Sequence, residues 1–194
     1  MKSVFDFLVT PKGERTNSTK EVNGKELILN TELQNHQYVS RIGIVKAVPA
    51  AFETEISVGD EIIVHHNVFR VFTDVRGKEK RSRSYIDENF YAVNISQIYA
   101  YKNGGNDWKS IEGFYFVKPI VSKDKFSLDK EEPLVGIIKY ANDAFEAGAL
   151  VGFRPGMEYE FNIEGQRLYR IPANQITVQY EYEGDEEEYN PSWT

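Results

Sequence analysis

The feature that most constrains the fold of this chain is an internal repeat. Four segments recur in the same order along the 194 residues. The matched segments, first copy against second, are FLVTP (7–11) and YFVKP (115–119), IGIVKAVPAAFE (42–53) and VGIIKYANDAFE (135–146), SVGDEIIVHHN (57–67) and RPGMEYEFNIE (154–164), and YAVNISQIYAY (91–101) and YRIPANQITVQY (169–180). Such a pattern indicates that one structural unit is used twice.

The numbering offset between the two copies locates two insertions in the first copy. The offset is 108 at Pro11, 93 at Gly43, 97 where Gly59 is matched to Gly156, and 78 at Tyr91. The first copy therefore has 15 extra residues (108 − 93) between Pro11 and Gly43, and 19 extra (97 − 78) between Gly59 and Tyr91. We expect these insertions to carry what the second copy lacks.

Each copy predicts β-structure. Its segments are short, rich in β-branched and aromatic residues, and separated by Gly, Pro, Asn and Asp. The nearest helical candidate, NDAFEAGALVGF, contains two glycines, which weaken a helix. About five short strands in fewer than about 100 residues are best closed into a small barrel, because closure removes exposed edges. We predict an all-β chain with barrels at 1–103 and 111–183, a linker at Lys102–Ser110, and a solvated, frayed acidic tail at 184–194.

Composition excludes several classes of function. The net charge of −7 opposes nonspecific nucleic-acid binding, which needs a basic surface. The chain has no cysteine, so disulfides and cysteine metal sites are excluded. No apolar run approaches the roughly 20 residues of a membrane span, and the start, MKSVFDFLVTPKGE, lacks the features of a signal peptide. We expect a soluble cytoplasmic protein that binds neither nucleic acid nor a membrane.

No residue pattern predicts catalysis or a cofactor. Neighbouring strand residues face opposite sides, so we expect that His65 and His66 do not chelate one metal ion. Asp60 is expected to cap the turn before its strand rather than to act as an acid. The basic segment RGKEKRSRS (76–84) has two interpretations, a solvated hairpin tip around Gly77 or an electrostatic contact to nucleic acid or an acidic surface. Because paired carboxylates, nucleophile motifs and metal-ligand spacings are missing, we predict no enzyme, no cofactor and no metal site.

A hydrophobic tripeptide, Leu27–Leu29, lies in an otherwise polar loop. In residues 12–37 the other apolar side chains are those of Val22 and Leu33. A strand buried in a core would show apolar alternation over more of its length. The residues alone leave two interpretations open, which are an extra edge strand lying on the barrel and a partner-binding element with residues 14–34 mobile.

From Phe5 to Tyr101 the chain resembles a GroES-type co-chaperonin subunit. That family has an opening strand, a long mobile loop with a hydrophobic tripeptide, a Gly-containing strand, a VGD turn before a further strand, and a closing strand. The corresponding segments here are FLVTPK, NGKELILNT, RIGIVKAVP, SVGDEIIVHHN and YIDENFYAVNISQIYAY. Two departures are visible. Only Ala50–Ser57 stands where the family has a roof hairpin, as in some virus-encoded relatives, and the second copy has no aliphatic tripeptide in SKDKFSLDKEEP.

The resemblance implies two tandem GroES-like barrels, the first with a mobile loop. Leu27, Ile28 and Leu29 would dock into a hydrophobic groove on a GroEL-type chaperonin ring, and Gly24 would allow the turn that presents them. The chain would form a ring, with seven subunits as the family expectation, that caps the chamber around a folding substrate protein. ATP would be hydrolysed by the chaperonin, so this chain would need no cofactor. Its location would be the cytoplasm, that of the host if the chain is viral.

The resemblance also implies how subunits meet, because the opening strand of one subunit pairs with the closing strand of its neighbour. The corresponding segments are Val4–Thr10 and Val93–Tyr101, with equivalents at Tyr115–Ile120 and Ile171–Tyr180. A second class of function stays open, a structural ring or shell protein, such as a viral one, that reuses the barrel without chaperonin binding. A third hypothesis, a carbohydrate- or ligand-binding β domain, is supported only by the content of 12 tyrosines. The loop discriminates between lid and shell, because a lid needs Leu27–Leu29 exposed and a structural protein would pack them.

Overall fold

The computed structural model describes most of the chain. The described ranges are 2–13, 19–22, 25–28, 40–124, 130–142, 144–181 and 184–190. Contacts divide the chain into two compact units, Met1–Trp108 and Lys109–Thr194, with the boundary inside the segment Lys102–Ser110. Regular structure in both units is almost entirely antiparallel β, which confirms the predicted all-β class. Within these ranges no helix has the length and the apolar character that a membrane span requires.

Five strands of the first unit belong to one antiparallel sheet, and four others form two separate hairpins. Its strands are β1 (Phe7–Pro11), β2 (Thr19–Val22), β3 (Lys25–Ile28), β4 (Ile42–Ala47), β5 (Glu61–Val64), β6 (Val71–Thr73), β7 (Glu79–Arg81), β8 (Tyr91–Val93) and β9 (Ile98–Lys102). The sheet has the order β9-β5-β4-β1-β8, and β2–β3 and β6–β7 are the hairpins. No strand lies within Ala50–Ser57, all of which the structure describes, so the chain has no hairpin where the GroES-type pattern has a roof, as the sequence predicts.

The second unit repeats this sheet. Its strands are β10 (Lys109–Ser110), β11 (Phe114–Val121), β12 (Glu131–Tyr140), β13 (Leu150–Phe153), β14 (Tyr159–Ile163), β15 (Gln166–Pro172) and β16 (Ile176–Gln179). The order β16-β13-β12-β11-β15 reproduces β9-β5-β4-β1-β8 strand for strand, and β14 extends the sheet beyond β15. A single turn of 3-10 helix joins the last two strands of each repeat, Ile95–Gln97 in the first and Ala173–Gln175 in the second.

The registers of the two sheets agree residue by residue. Val9 is opposite Val45 as Val117 is opposite Ile138, which reproduces the predicted offsets of 108 and 93. A β-bulge interrupts both of these ladders at the same point. β8 and β15 pair with equivalent strands at the predicted offset of 78. Three of the four sequence matches are therefore confirmed as structural equivalents.

The fourth sequence match, Gly59 with Gly156, is wrong. The counterpart of Gly59 is Gly148, since both have positive φ, +97° and +91°, and their amides donate to the equivalent carbonyls of Val45 at 2.9 Å and Ile138 at 2.8 Å. The offset there is 89 (148 − 59), so the second insertion of the first copy has 11 residues (89 − 78) rather than 19. Gly156 occupies a different turn, also with positive φ. A glycine shortly before a strand fits either turn, so the sequence did not separate them.

Each sheet is curled rather than flat. Among the five strands that the first unit contributes to its sheet, β8 and β9 are the farthest apart in the strand order, yet only residues 94–97 join them. Four strand spacings of about 4.8 Å would separate these strands by about 19 Å in a flat sheet. The joining residues include a 3-10 turn, which rises only about 2 Å per residue, so they are too short for that distance. The outer strands must therefore approach each other, and β15 and β16 do so for the same reason.

The core of each unit comes from equivalent positions in these strands. Matched core residues, each at most 1% exposed, are Phe7 and Tyr115, Val9 and Val117, Val45 and Ile138, Ile62 and Val151, and Val93 and Ile171. Burial of one such side chain contributes about 1.5–3 kcal/mol. The repeat has kept its interior while the connections between strands have changed.

The acidic tail is bonded to β11 where the structure describes it, at residues 184–190. Glu188 forms an antiparallel bridge with Ile120 of β11, and its carboxylate pairs with the Lys118 ammonium group. The expected fraying is therefore wrong for these residues, whereas most of their side chains are exposed to solvent, as expected. The physical reason is that β11 extends past β15, and the tail satisfies the edge that this leaves open.

Candidate partner-binding hairpin

The insertion between β1 and β4 forms the hairpin β2–β3. Its ladder runs from Thr19 opposite Ile28 to Val22 opposite Lys25, and only an Asn-Gly dipeptide lies between the strands in the sequence. Asn-Gly between two short β segments is a strong signal for a tight hairpin. Reasoning from the aliphatic tripeptide alone overlooks β2, although this signal predicts it as the partner strand.

The predicted chaperonin-binding residues fall partly on this hairpin. Leu27 and Ile28 lie in β3, whereas Gly24 and Leu29 lie outside the described residues. Among the described strands, β3 pairs with β2 and with no strand of the five-stranded sheet. The edge-strand interpretation requires a ladder to that sheet, so the described strands do not support it.

The second unit has a different connection at the equivalent place. β11 and β12 are longer than β1 and β4, and they pair as far out as Val121 opposite Glu131. Residues 122–130 then connect them, of which 125–129 lie outside the described residues. The two units therefore differ at the place where the GroES-type pattern has its partner-binding loop.

The basic segment forms the hairpin β6–β7, as the first interpretation predicts. Asp74 Oδ1 accepts hydrogen bonds from the amides of Arg76 and Lys78 at 2.9 and 3.0 Å, and Gly77 has φ of +75°. Val75 at the tip is fully exposed. The hydrogen bonds to Asp74 and the positive φ of Gly77 are sufficient to explain the turn without a ligand. The electrostatic contact of this segment to a partner stays a hypothesis.

The opening strand does not offer the free edge that the family pattern implies. β1 lies between β4 and β8, and Phe7–Val9 pairs on both sides. The predicted pairing of this strand with a neighbouring subunit is therefore wrong for Phe7–Val9. The first strand in the sequence is the second from the edge of the sheet, and strand order cannot be read from the repeat.

The segment before β1 is exposed and contributes to a surface that we name the N-terminal apolar patch, which consists of Val4, Phe5 and Phe52. Their side chains are 58%, 68% and 38% exposed. The Ala51 amide donates a hydrogen bond to the Val4 carbonyl at 3.0 Å, so the backbone holds the two segments side by side. Exposed apolar side chains on neighbouring segments make this surface a candidate for an interaction site.

The closing strand of the second unit, β16, has no strand hydrogen-bonded to its outer side among the described residues, although the curl of the sheet brings β15 toward it. On its other side β16 pairs with β13. Val178 and Tyr180 are 46% and 43% exposed. An apolar edge strand favours association with another strand.

His65 and His66 follow directly after β5, which ends at Val64, and do not lie in a strand. Their rings stack with centroids 4.2 Å apart, so the prediction that His65 and His66 face opposite sides is wrong. His65 Nδ1 accepts a hydrogen bond from the Asn67 amide at 3.1 Å. Among the described side chains, no group of three or more His, Cys, Asp or Glu residues could hold a metal ion.

The Asp60 carboxylate and the Tyr169 phenol each have a structural role that follows from their contacts. The Asp60 carboxylate accepts a hydrogen bond from the Ser57 amide at 2.7 Å, which confirms that it caps the turn before β5. Burial raises the pKa of Tyr169, and its hydrogen bond to Glu131 raises that pKa further. Arg167 donates to the Tyr169 hydroxyl at 2.6 Å. The phenol therefore stays protonated at neutral pH.

No protein-family model matches the sequence, and no curated protein is significantly similar to it. The function must be inferred from the repeated sheet, the inserted hairpin and the exposed apolar surfaces.

Proposed function

We propose that this chain is a GroES-type co-chaperonin, a non-enzymatic lid that assembles into a ring and caps a GroEL-type chaperonin around a folding substrate protein. The observation that carries the proposal is the hairpin β2–β3, which is inserted into one copy of a repeated sheet and pairs only with itself among the described strands. A docking element needs this independence, because it must bind without disturbing the sheet. Leu27, Ile28 and Leu29 would make the contact, and Gly24 would let the chain turn between the strands.

The order of elements supports the proposal. The GroES-type pattern of opening strand, tripeptide loop, glycine strand, Gly-Asp turn and closing strand falls on β1, β2–β3, β4, the turn at Gly59, and β9. Each curled sheet would close into a small barrel, which removes edges that would otherwise aggregate. The chain would then carry two barrels in tandem, with the docking element on the first.

The energetics suit a ring of weak contacts. Burial of three aliphatic side chains contributes about 1.5–3 kcal/mol each, whereas ordering a loop costs roughly 1–2 kcal/mol per residue. Pairing of β3 with β2 before binding lowers that cost, since the bound shape is partly preformed. Seven subunits, as in the resembled family, would present seven hairpins at once, and avidity would make the assembly bind tightly.

The chemistry of the chamber would belong to the partner. The chaperonin would bind and hydrolyse ATP, and this chain would act in the same cytoplasm, that of the host if the chain is viral. A role as a lid needs no cofactor and no catalytic group of its own.

Retention of the chain on an immobilised GroEL-type chaperonin with ATP tests the proposal. The triple variant L27S/I28S/L29S should lose retention but keep its sedimentation coefficient and its far-ultraviolet circular dichroism. Leu33→Ser is the matched control, because it removes an aliphatic side chain from the same insertion outside the tripeptide, and it should bind like the wild type. A triple variant that is still retained would exclude docking through the tripeptide.

A structural ring or shell protein is the second candidate. The N-terminal apolar patch and the outer edge of β16 favour it, because both surfaces predict self-association whether or not a chaperonin binds. For that function the chain would assemble but would not be retained on any chaperonin tested.

A further inference from the structure

An open cleft of about 620 Å³ lies in the first unit beside the end of β1. Pro11 and Gly13 line one part of it, Lys46 of β4 another, and residues 88–90 a third. β8 pairs with β1 no further than Val9, so the cleft lies where β8 stops following β1. Among the described residues no strand continues along this side of β1.

The equivalent place in the second unit is covered by the acidic tail. Pro119, the counterpart of Pro11 at the offset of 108, accepts a hydrogen bond from the Tyr189 amide at 2.8 Å. Val121 donates its amide to the Glu187 carbonyl at 2.8 Å. The tail therefore adds a short strand to β11 where β15 stops following it.

Side-chain contacts place the tail over the same flank. The Asn190 side chain accepts a hydrogen bond from the Arg167 amide and donates one to the Gly165 carbonyl, each at 3.2 Å. Arg167 is the counterpart, at the offset of 78, of Asn89, which lines the cleft. The cleft and the tail site are one position of the repeated unit, covered by chain in the second copy and by none of the described strands in the first.

One tail cannot serve both positions. The tail is held on its own unit by the pairs Lys118–Glu188 and Lys123–Glu186, the second at 2.5 Å. A tail from another copy could reach the cleft only by giving up these contacts. Each chain has two equivalent positions but only one tail, which its own second unit already binds. A separate polypeptide is therefore a better candidate for the cleft than the tail of a second copy.

Charge in the cleft favours an acidic occupant. Glu88 is paired at 3.2 Å with Arg81, which also pairs with Glu79, and Lys12, next to the cleft, is paired with Glu61 at 2.7 Å. Lys46 is exposed and forms no ion pair with any residue that the structure describes. We infer that the cleft is a strand-accepting site for an extended acidic segment of a partner polypeptide, which would pair with the open edge of β1 and place a carboxylate on Lys46.

The cation of this site differs from that of the tail site. The counterpart of Lys118, which holds the tail, is the neutral Thr10, so Lys46 on the neighbouring strand is the group that would meet the carboxylate. The site lies on β1 and β4 and uses no residue of the hairpin β2–β3. It would therefore bind its partner whether or not the chain caps a chaperonin.

The test uses the full-length chain and a fluorescein-labelled peptide with the tail sequence GDEEEYN (184–190), followed by fluorescence anisotropy. We expect saturable binding with a dissociation constant below about 1 mM. Lys46→Glu should weaken it at least about tenfold, since the charge that meets the carboxylate is reversed. Lys139→Glu is the matched control, because Lys139 is the exposed counterpart of Lys46 at the offset of 93, and it should leave the affinity unchanged.

A second measurement locates the peptide. With its tyrosine replaced by benzoylphenylalanine, the peptide should crosslink to 8–13 or 88–90, as read by mass spectrometry. Crosslinks confined to 117–121 or 165–168 would mean that it only displaces the chain's own tail, and the inference would fail. Lack of saturable binding, or an equal loss in both lysine variants, would overturn it too.

Two further probes test the occupant itself. A neutral peptide, GNQQQYN, should bind at least about tenfold more weakly, and equal binding would overturn the acidic character of the partner. If self-association of the full-length chain is lost both in Lys46→Glu and after truncation at Glu183, the occupant is a second copy and the separate partner is excluded.

Discussion

Gly136 lies so close to Val117 on the facing strand that a Cβ atom at Gly136 would be 2.6 Å from Val117 Cγ1 and 2.5 Å from the Lys118 carbonyl oxygen. Gly43 faces Val9 in the same way in the first unit, where the distance to Val9 Cγ1 would be 2.3 Å. The opening strand of each repeat thus passes too close for any side chain. This close approach explains why the matched segments GIV (43–45) and GII (136–138) both begin with glycine.

Gly136→Ala should destabilise the chain by about 2–3 kcal/mol, because a backbone carbonyl cannot rotate away from the added methyl group. Urea denaturation of the full chain measures this. Gly152→Ala is the matched control, since its new Cβ would meet only the Tyr180 ring, at 3.2 Å and beyond, and that exposed side chain can move. A Gly136→Ala loss within about 0.5 kcal/mol of zero, the range of surface substitutions, would contradict the close approach.

Gly43→Ala should cost less than Gly136→Ala, about 1–2 kcal/mol, because the first conflict is with the Val9 side chain rather than with backbone. The double variant Gly43→Ala with Val9→Ala should therefore lose less than the sum of the two single losses. Urea denaturation of all three variants gives the coupling, and strict additivity would show that the two residues do not meet.

The N-terminal apolar patch should drive self-association. Replacing Val4 and Phe5 together by serine should weaken assembly at least about tenfold, since both side chains are more than half exposed and their burial in an interface would be lost. Sedimentation velocity over a concentration series measures the effect. Val75→Ser, a change to another exposed valine of the same unit, should leave assembly unchanged; if it weakens assembly as much, general surface hydrophobicity is the cause.

Removal of the Lys118 ammonium group, which pairs with Glu188, should loosen the tail from β11. The Lys118 side chain is 9% exposed and pairs with Glu188, so Lys118→Met should make the amides of Tyr189 and Val121 exchange about tenfold faster. Hydrogen exchange read by mass spectrometry checks this. Lys139→Met serves as the control on the neighbouring strand β12, and unchanged exchange in Lys118→Met would show that backbone pairing alone holds the tail.

The repeat and the all-β class could be predicted because both depend on local patterns. Residues such as Val9 and Val117 keep the same alternation and the same neighbours, so the offsets of 108, 93 and 78 survive in the registers. The match of Gly59 with Gly156 failed because a glycine turn before a strand is common and carries no information about its partner.

The remaining errors concern pairings over long distances in the sequence. That β1 lies inside its sheet depends on β8, about 80 residues later, and that the tail is ordered depends on where β15 leaves β11. Neither relationship leaves a local pattern. The hairpin β2–β3 is different, because the dipeptide Asn23-Gly24 predicts it from local sequence alone. The identity of its partner is a property of another molecule and cannot be read from this one.

Native mass spectrometry of the full-length chain, alone and with a GroEL-type chaperonin ring and ATP, tests the central claim most directly. The lid proposal predicts a closed ring of copies when the chain is alone, and a complex of that ring with the chaperonin when both are present. The variant L27S/I28S/L29S should form the same ring and no complex. A wild-type chain that is monomeric at micromolar concentration, or a triple variant that still binds the chaperonin, would contradict the proposal.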